Sequence, residues 1–315
     1  MKIFVTGATG VLGRPVVGEL IRSGVAVTAL ARSEANHAEI MKMGASPVSA
    51  DLFDPTSLAA HLRGCDAILH LATHIPPTAD LKRHDAWADN DRIRENGTAA
   101  LVEAALDIGS VKTVIYPSVC FMYGDGGDRW LSAATAQLEP LPLLWSTLAA
   151  EQHVARFADS HADRRGISLR LGSFYGPTSR DSADTIALAR KGFAAAFAPT
   201  GSYRSLIWID DAAAAVVAAL RQAPSGIFDV VEDEPFTQEQ AIEALAEAVG
   251  RTKLRRLPGF LSRFALPSDV RQLLARSQRV SAARFKEAAG WEPAVPNQAI
   301  GWKSIVEPTE LAAAA

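Results

Sequence analysis

The segment that most constrains this chain lies in its first thirteen residues. Lys2–Thr6 is a short apolar run, and it leads directly into Thr6-Gly7-Ala8-Thr9-Gly10-Val11-Leu12-Gly13. The stretch Leu12–Ser23 then carries apolar side chains at helical spacing (Leu12, Val16, Val17, Leu20, Ile21) and stops at Gly24. Strand, glycine-rich turn and helix in that order build a phosphate site. Glycine permits the tight turn and lets the backbone approach a pyrophosphate. The start of the helix presents free N–H groups and the positive end of its dipole. Glycines alone say little, but between a strand and a helix they predict a dinucleotide site.

The alternation continues. Val25–Ala31 and Ser46–Ser49 read as strands around a helix at Glu34–Met43, and Ser57–Arg63 reads as a helix closed by Gly64. Asp66–Leu71 is a fourth strand, Asp85–Ile108 a single long helix, Lys112–Tyr116 a strand, Leu143–Ala162 a helix and Ser168–Leu171 a strand. Alternating β and α units predict an α/β fold: a Rossmann-type doubly wound parallel sheet with a smaller C-terminal substrate lobe. Residues 1–171 form the dinucleotide-binding domain, with return segments at about 206–231. Residues 172–205 and 232–315 form the lobe. After Gly172 the pattern loosens, and strand-like pieces (Leu206–Ile209, Ile227–Val231) mix with helices at Asp210–Gln222, Gln238–Val249 and about Ser281–Ala288. Gly- and Pro-rich loops (Gly172–Pro177, Pro199–Gly201, Leu257–Gly259) separate them, and the Ala312–Ala315 tail carries no function.

Composition narrows the function. The 315 residues are 48% apolar and 21% charged, with a net charge of −3, so no broad basic surface invites nucleic acid or anionic membrane. Cys65 and Cys120 are the only cysteines, too few for a disulfide framework or a cysteine-rich metal centre. His37, His61, His153 and His161 are scattered without metal spacing, so no metal is expected. The glycines come too early for a secretory leader, and no apolar run is long enough to span a bilayer, which makes a cytoplasmic protein the expectation.

The second strand ends at Ala31, followed by Arg32. An NAD site places an acid there to hold the ribose 2′-hydroxyl. Its absence, with an arginine next to it, favours a 2′-phosphate and hence NADP over NAD. Arg14 is a possible helper.

With these features the chain resembles the extended short-chain dehydrogenase/reductase family, which includes nucleotide-sugar epimerases and dehydratases. Thr6–Gly13 matches the family's TGxxGxxG, and Asp51-Leu52 its adenine-holding acidic dipeptide. Asp66–Ala72 matches the fourth-strand signature, and Gly97-Thr98 the end of NxxGT. Tyr123-Gly124 matches VYG, Arg170–Pro177 matches RxxxxYGP, Trp208–Asp211 the hVDD segment and Ala289–Pro293 the terminal LGWxP. The resemblance implies cofactor contacts from Gly7, Thr9, Gly10, Val11, Leu12, Gly13, Arg32, Asp51, Leu52, Leu71, Ala72, Thr73, Thr147 and Gly172. It also implies a homodimer, through the Asp85–Ile108 and Leu143–Ala162 helices, with Leu101, Ala104, Ala105, Leu148 and Ala155 in the contact.

The catalytic residues break the pattern. The family uses a tyrosine, a lysine four residues later and a serine or threonine. Alignment on Glu151 puts Leu143 at the tyrosine and Thr147 at the lysine, and counting back from Tyr123 puts Val119 at the hydroxyl residue. Arg94 stands at the family's asparagine. No register repairs this. Four residues after Tyr116, Tyr123, Tyr175 and Tyr203 stand Cys120, Gly127, Ser179 and Ile207, and no lysine occurs between Lys112 and Lys191. Losing that general acid forfeits roughly 10²–10⁴ in rate unless something replaces it.

Replacements must come from loops after the fourth, fifth and sixth strands. His74 is the first candidate, because imidazole titrates near neutral pH. The bland alternative is a histidine lining the cleft or capping the loop before Pro76-Pro77. Tyr123 is the second, against a packed aromatic fixing the turn before Gly124. Expected substrate contacts are His74, Val119, Cys120, Leu143, Trp145, Tyr175 and Arg204. Leu143, Leu144 and Trp145 make this face apolar, which suits an apolar or aromatic substrate. Arg204 leaves room for an anionic group, unless it is a rim arginine paired to Asp210 or Asp211. His70 belongs to a buried strand. The expectation is an NADP(H)-binding enzyme acting on a small apolar carbonyl or alcohol with a non-standard proton donor. The alternatives are a non-redox dehydratase, isomerase or cyclase, and a non-catalytic NADP(H) sensor.

Overall fold

A computed structural model of the chain describes residues 1–76, 80, 83, 85–195, 198–258 and 266–307. Pro77, Gly259 and the Ala312–Ala315 tail lie outside the described residues.

The first half runs β1 (Lys2–Thr6), α1 (Gly13–Arg22), β2 (Ala26–Leu30), α2 (Glu34–Lys42), β3 (Ser46–Val48), α3 (Pro55–Leu62) and β4 (Ala67–His70). Then come α4 (Ala88–Arg92), a π-helical turn (Ile93–Gly97), α5 (Thr98–Ile108), β5 (Thr113–Val119), β6 (Trp130–Leu131), α6 (Trp145–Asp159) and β7 (Arg165–Leu171). The second half holds β8 (Ser173–Tyr175), α7 (Arg180–Arg190), β9 (Phe193–Ala194), β10 (Leu206–Trp208), α8 (Ile209–Gln222), β11 (Gly226–Val230) and α9 (Gln238–Ala248). It closes with β12 (Arg255–Arg256), α10 (Ser268–Ala275), β13 (Arg279–Val280), α11 (Ala283–Ala289) and α12 (Gln298–Val306).

Seven strands form one parallel sheet in the order β11-β7-β5-β4-β1-β2-β3. Strand periodicity sends alternate residues of β1 to opposite faces. Ile3 and Val5 meet α1 and α8 through Val16, Leu20, Val216 and Leu220. Phe4 meets α3, α5 and α6 through Leu58, Leu101 and Phe157. Burying each such aliphatic or aromatic side chain is worth roughly 1.5–3 kcal/mol. The strand order reverses between β1 and β4, and the crevice beyond the strands' carboxyl ends at that point is where open α/β sheets bind ligands.

The single long helix expected at Asp85–Ile108 is interrupted. In the π turn the backbone takes an extra residue per turn, a geometry frequent at functional sites. His70 Nε2 lies 3.2 Å from the Ile93 carbonyl, and the Thr98 hydroxyl donates to the Arg94 carbonyl, so the irregular turn is held from both ends. The lobe boundary also differs from expectation. β11 joins the main sheet as a return segment, but β10 pairs with β8 in a separate two-stranded sheet. Val280, Phe285, Ala289 and Trp291, assigned by sequence to the lobe, pack into the main core. Phe285 stands 5.8 Å from Phe228 and 5.5 Å from Trp291, ring to ring. The lobe has its own core around Tyr175, Trp208 and Trp302. Among the described residues no helix is long and apolar enough to cross a membrane.

Candidate cofactor and substrate cleft

The glycine turn is shaped by close approach. Gly7 adopts φ +73°, and a Cβ there would lie 2.5 Å from the Ala72 nitrogen. A Cβ on Gly13 would lie 2.0 Å from the Gly7 carbonyl oxygen. The Gly10 N–H donates to that same oxygen at 2.9 Å, closing the turn. At the start of α1 the Arg14 N–H already donates to the Gly10 carbonyl at 3.1 Å and Pro15 has no N–H, so the N–H groups of Val11, Leu12 and Gly13 are the ones left for a phosphate.

A cleft of about 1780 Å³ opens from this turn across the carboxyl ends of the sheet to the lobe. Its wall brings together Gly7, Thr9, Gly10, Val11, Leu12, Arg32, Asp51, Leu52, Leu71, Ala72, Thr73 and Gly172 from the expected cofactor set. His74, Val119, Leu143, Tyr175 and Arg204 from the expected substrate set line the same cleft. The glycine cradle, the exposed Arg32 and the length of the cleft fit a dinucleotide. Arg32 has no carboxylate within ion-pair distance among the described residues. Arg14 is taken by Glu39 at 2.6 Å and is not part of the wall.

Five expected residues stand elsewhere. Gly13 is behind the turn, where its missing side chain lets helix and strand approach. Cys120 is buried at the end of β5, and burial pushes its thiol up to about 12, so it is an inert core residue. Tyr123 is fully buried. Its hydroxyl donates to Asp229 and accepts from Arg170 Nη1 at 3.2 Å. Burial and the Asp229 charge raise its pKa, so it serves as an anchor and not as an acid in the cleft. Trp145 is 61% exposed at the start of α6 and is not part of the cleft wall. Thr147 is fully buried, and its hydroxyl accepts from Arg94.

Beneath the site lies a buried polar network. Arg170 grips Glu151 with two hydrogen bonds, 2.9 and 2.7 Å, and the Ser118 hydroxyl donates to Glu151 at 2.5 Å. Asp229 accepts from Tyr123 and from the Ala133 N–H, and burial raises it to about 6. His70 is equally buried: Nδ1 meets the Thr6 hydroxyl at 2.6 Å, and desolvation lowers its pKa to about 4. Neutral His70 is therefore a brace between β1 and the π turn.

Arg204 does not pair with Asp210 or Asp211. Asp211 is occupied by the Ala294 and Val295 N–H groups, both at 2.9 Å, while the Arg204 side chain, among the described residues, donates to the Ser173 hydroxyl at 3.3 Å. Sequence reasoning placed Arg94 but gave it no role. It lines the cleft, 4% exposed, and is held by Thr147. The available signal was the simultaneous change of the asparagine to Arg94 and the lysine to Thr147. Trp87, Arg92, Phe121, Gln298 and Trp302 also line the cleft without having been expected, and Arg92 stacks 3.7 Å over the Phe53 ring.

A doubly wound parallel sheet, a glycine turn at its switch point and a cleft shared with a C-terminal lobe define a dinucleotide-dependent enzyme of extended short-chain dehydrogenase/reductase type. The sequence profile of the NAD dependent epimerase/dehydratase family matches residues 3–230. The chain belongs to that family and is an oxidoreductase/epimerase-like enzyme with a nicotinamide dinucleotide cofactor. It is 29% identical over 303 residues to a 3-diazoavenalumate denitrifying reductase from a Streptomyces species, covering 94% of this chain and 97% of the relative. It is 25% identical over 269 residues to the ceramide reductase of Caulobacter vibrioides, covering 84% and 76%. In fold it is similar to a human epimerase family protein determined with NADPH: TM-score 0.80, 19% identity, 98% of this chain and 99% of the other.

Proposed function

We propose that the chain is an NADP(H)-dependent reductase acting on a small substrate with an apolar body, and that His74 supplies the proton. The observation that carries this reading is the composition of the cleft wall. Val119 and Leu143 line it where the family has proton-active side chains, and His74 opens into the same cleft. An enzyme needs a cleft with convergent polar groups, whereas a sensor does not. When bound, the nicotinamide supplies the hydride. Gly7, Gly10 and the α1 N-terminus hold the pyrophosphate, Arg32 receives the 2′-phosphate, and Val119 and Leu143 exclude water from the reacting carbon. His74 gives a proton to the oxygen left negative by hydride addition.

A second reading is favoured by the lack of a hydroxyl acid at Val119 and Leu143. One relative is named a denitrifying reductase of a diazo compound. Hydride added to the ring carbon of an arene diazonium forms a C–H bond while the C–N electron pair leaves with N₂. That reaction takes up no proton, so an apolar wall serves it without any acid.

The homodimer belongs to the same proposal, with a changed contact. Leu101, Ala104 and Ala105 face the chain's own core, so a pairing through α5 and α6 has to use half-buried Leu148 with exposed Ala155 and Trp145.

Fluorescence titration with NADPH and NADH tests the cofactor choice. NADPH binds at least tenfold more tightly, and Arg32→Ala removes the difference, on the order of one charge-assisted phosphate contact. Equal affinities in the parent protein reject it. Oxidation of NADPH in the presence of cinnamaldehyde, against a benzenediazonium salt, separates the two readings.

A further inference from the structure

Among the described residues two arginines, of opposite character, are deeply buried. Arg170 has the partner expected of a buried cation, the two-pronged contact with Glu151. Arg94 is as deeply buried, at 4% exposed, yet among the described residues no carboxylate lies within ion-pair distance of it. Its Nη1 donates to the Thr147 hydroxyl, and its Nε has no hydrogen-bond partner. A buried cation without a counter-charge is strongly unfavourable, so a fold that holds one in place leaves it for a ligand.

The setting is built for that. The His70 contact with the Ile93 carbonyl and the Thr98 contact with the Arg94 carbonyl fix the π turn that carries the residue. The side chain lines the cleft together with Ile93, Val119 and Leu143, surroundings of low polarity in which an opposite charge is felt most. Thr147 takes one Nη1 hydrogen and Nε is closed to solvent, which leaves the Nη1–Nη2 end of the guanidinium for a ligand. That end matches the two oxygens of one carboxylate. Phosphate needs are met elsewhere, at the glycine turn and Arg32. Neutral ribose hydroxyls would leave the charge uncompensated. The other cleft arginines without a carboxylate among the described residues, Arg32, Arg92 and Arg204, are exposed, so water reaches them.

We propose that Arg94 is the substrate's anion anchor, and that the natural substrate is an apolar, preferably aromatic, carboxylic acid whose carboxylate seats on the Nη1–Nη2 end of the guanidinium. This deepens the reductase reading and rests on it for the cofactor alone.

The test is binding, not turnover, so a failed reductase assay and a failed anchor are told apart. Protein loaded with NADP⁺ is titrated calorimetrically with trans-cinnamate and with cinnamyl alcohol, which shares the body and lacks the charge. The parent prefers cinnamate by about tenfold or more, as a charge-assisted bidentate contact requires. Arg94→Met erases the preference and leaves alcohol and NADP⁺ affinities within about threefold, since only the charged contact is removed. Arg94→Lys keeps part of it, and Arg204→Met keeps all of it. Thermal melting shows Arg94→Met folded and no less stable than the parent; should it fail to fold, Arg94→Gln replaces it in every comparison. Equal binding of acid and alcohol by the parent overturns the proposal. So does a preference that survives in Arg94→Met or disappears only in Arg204→Met. Loss of NADP⁺ binding in Arg94→Met overturns it as well, by assigning the charge to the cofactor.

Discussion

His74 enters the cleft from the loop after β4, and its position is set by its backbone, whose N–H donates to Asn90 Oδ1 at 3.1 Å. Asn90 is itself fully buried, so the loop is pinned while the imidazole stays exposed to the cleft. As proton donor, His74 contributes through protonation state and reach. His74→Ala is expected to lower kcat about 10²-fold, the usual scale of general acid catalysis, with NADPH affinity unchanged. Steady-state kinetics on cinnamaldehyde beside a cofactor titration checks it. An unaffected kcat moves the proton source to water. Tyr123 is not a rival, because its hydroxyl is committed to Asp229 and Arg170 beneath the sheet.

At the scale of elements, the glycine turn acts as one unit with β1, α1 and the start of the loop after β4. Gly13→Ala places a methyl 2.0 Å from the Gly7 carbonyl, and the obstructing atom is backbone, which cannot swing aside. Stability is expected to fall by roughly 2 kcal/mol or more, as for other forced overpacking, with NADPH binding lost at the same time. Chemical denaturation and fluorescence titration read the two effects. This unit was legible in the sequence because its determinants are local: glycine spacing, apolar runs and a helix stop. The π turn was not. One extra residue in a turn leaves the apolar period of Asp85–Ile108 nearly intact, and the His70 and Thr98 contacts that hold it exist only in three dimensions. Helix α7 was missed because RDSADTIALAR is mostly polar and buries only Ser182, Ile186 and Ala189. The burial of Cys120 and Tyr123 was hidden by the strand's end. β5 runs on to Val119, past the Tyr116 expected from sequence, and carries them into the core.

For the whole molecule, two buried acids set the response to pH. Burial raises Glu232 from 4.5 to about 8, and its oxygens accept from Tyr175 at 3.1 Å and Gln298 at 3.2 Å. Burial likewise raises Asp229 from 3.8 to about 6. In both cases the folded state binds the proton more tightly than the unfolded chain. Their contribution is therefore complete below about pH 4 and is lost as pH rises, through 6 for Asp229 and through 8 for Glu232. Glu232→Gln mimics the neutral acid. It is expected to remove the Glu232 part of the fall in melting temperature from about pH 4.5 to about pH 8, so that between pH 6 and pH 8 the curve flattens and below pH 6 the shallower Asp229 part remains. Melting curves across the pH range check it. Glu232 joins Tyr175 and α12, so the loss falls on the seam between the lobe and the sheet.

The contact between Arg94 and Thr147 also bears on how such a chain diverges. Placing a lysine at Thr147 while Arg94 stands would press an ammonium against a guanidinium in a site closed to water. Placing a tyrosine at Leu143 alone would add a hydroxyl to the wall that Arg94 shares, without the family's lysine four residues on. Neither first step toward the ordinary Ser-Tyr-Lys arrangement is free of a cost that the other does not relieve, and Arg94 has to go before Thr147 can change. The two positions are epistatic: Arg94 and Thr147 hold each other, so a change at either is felt at the other.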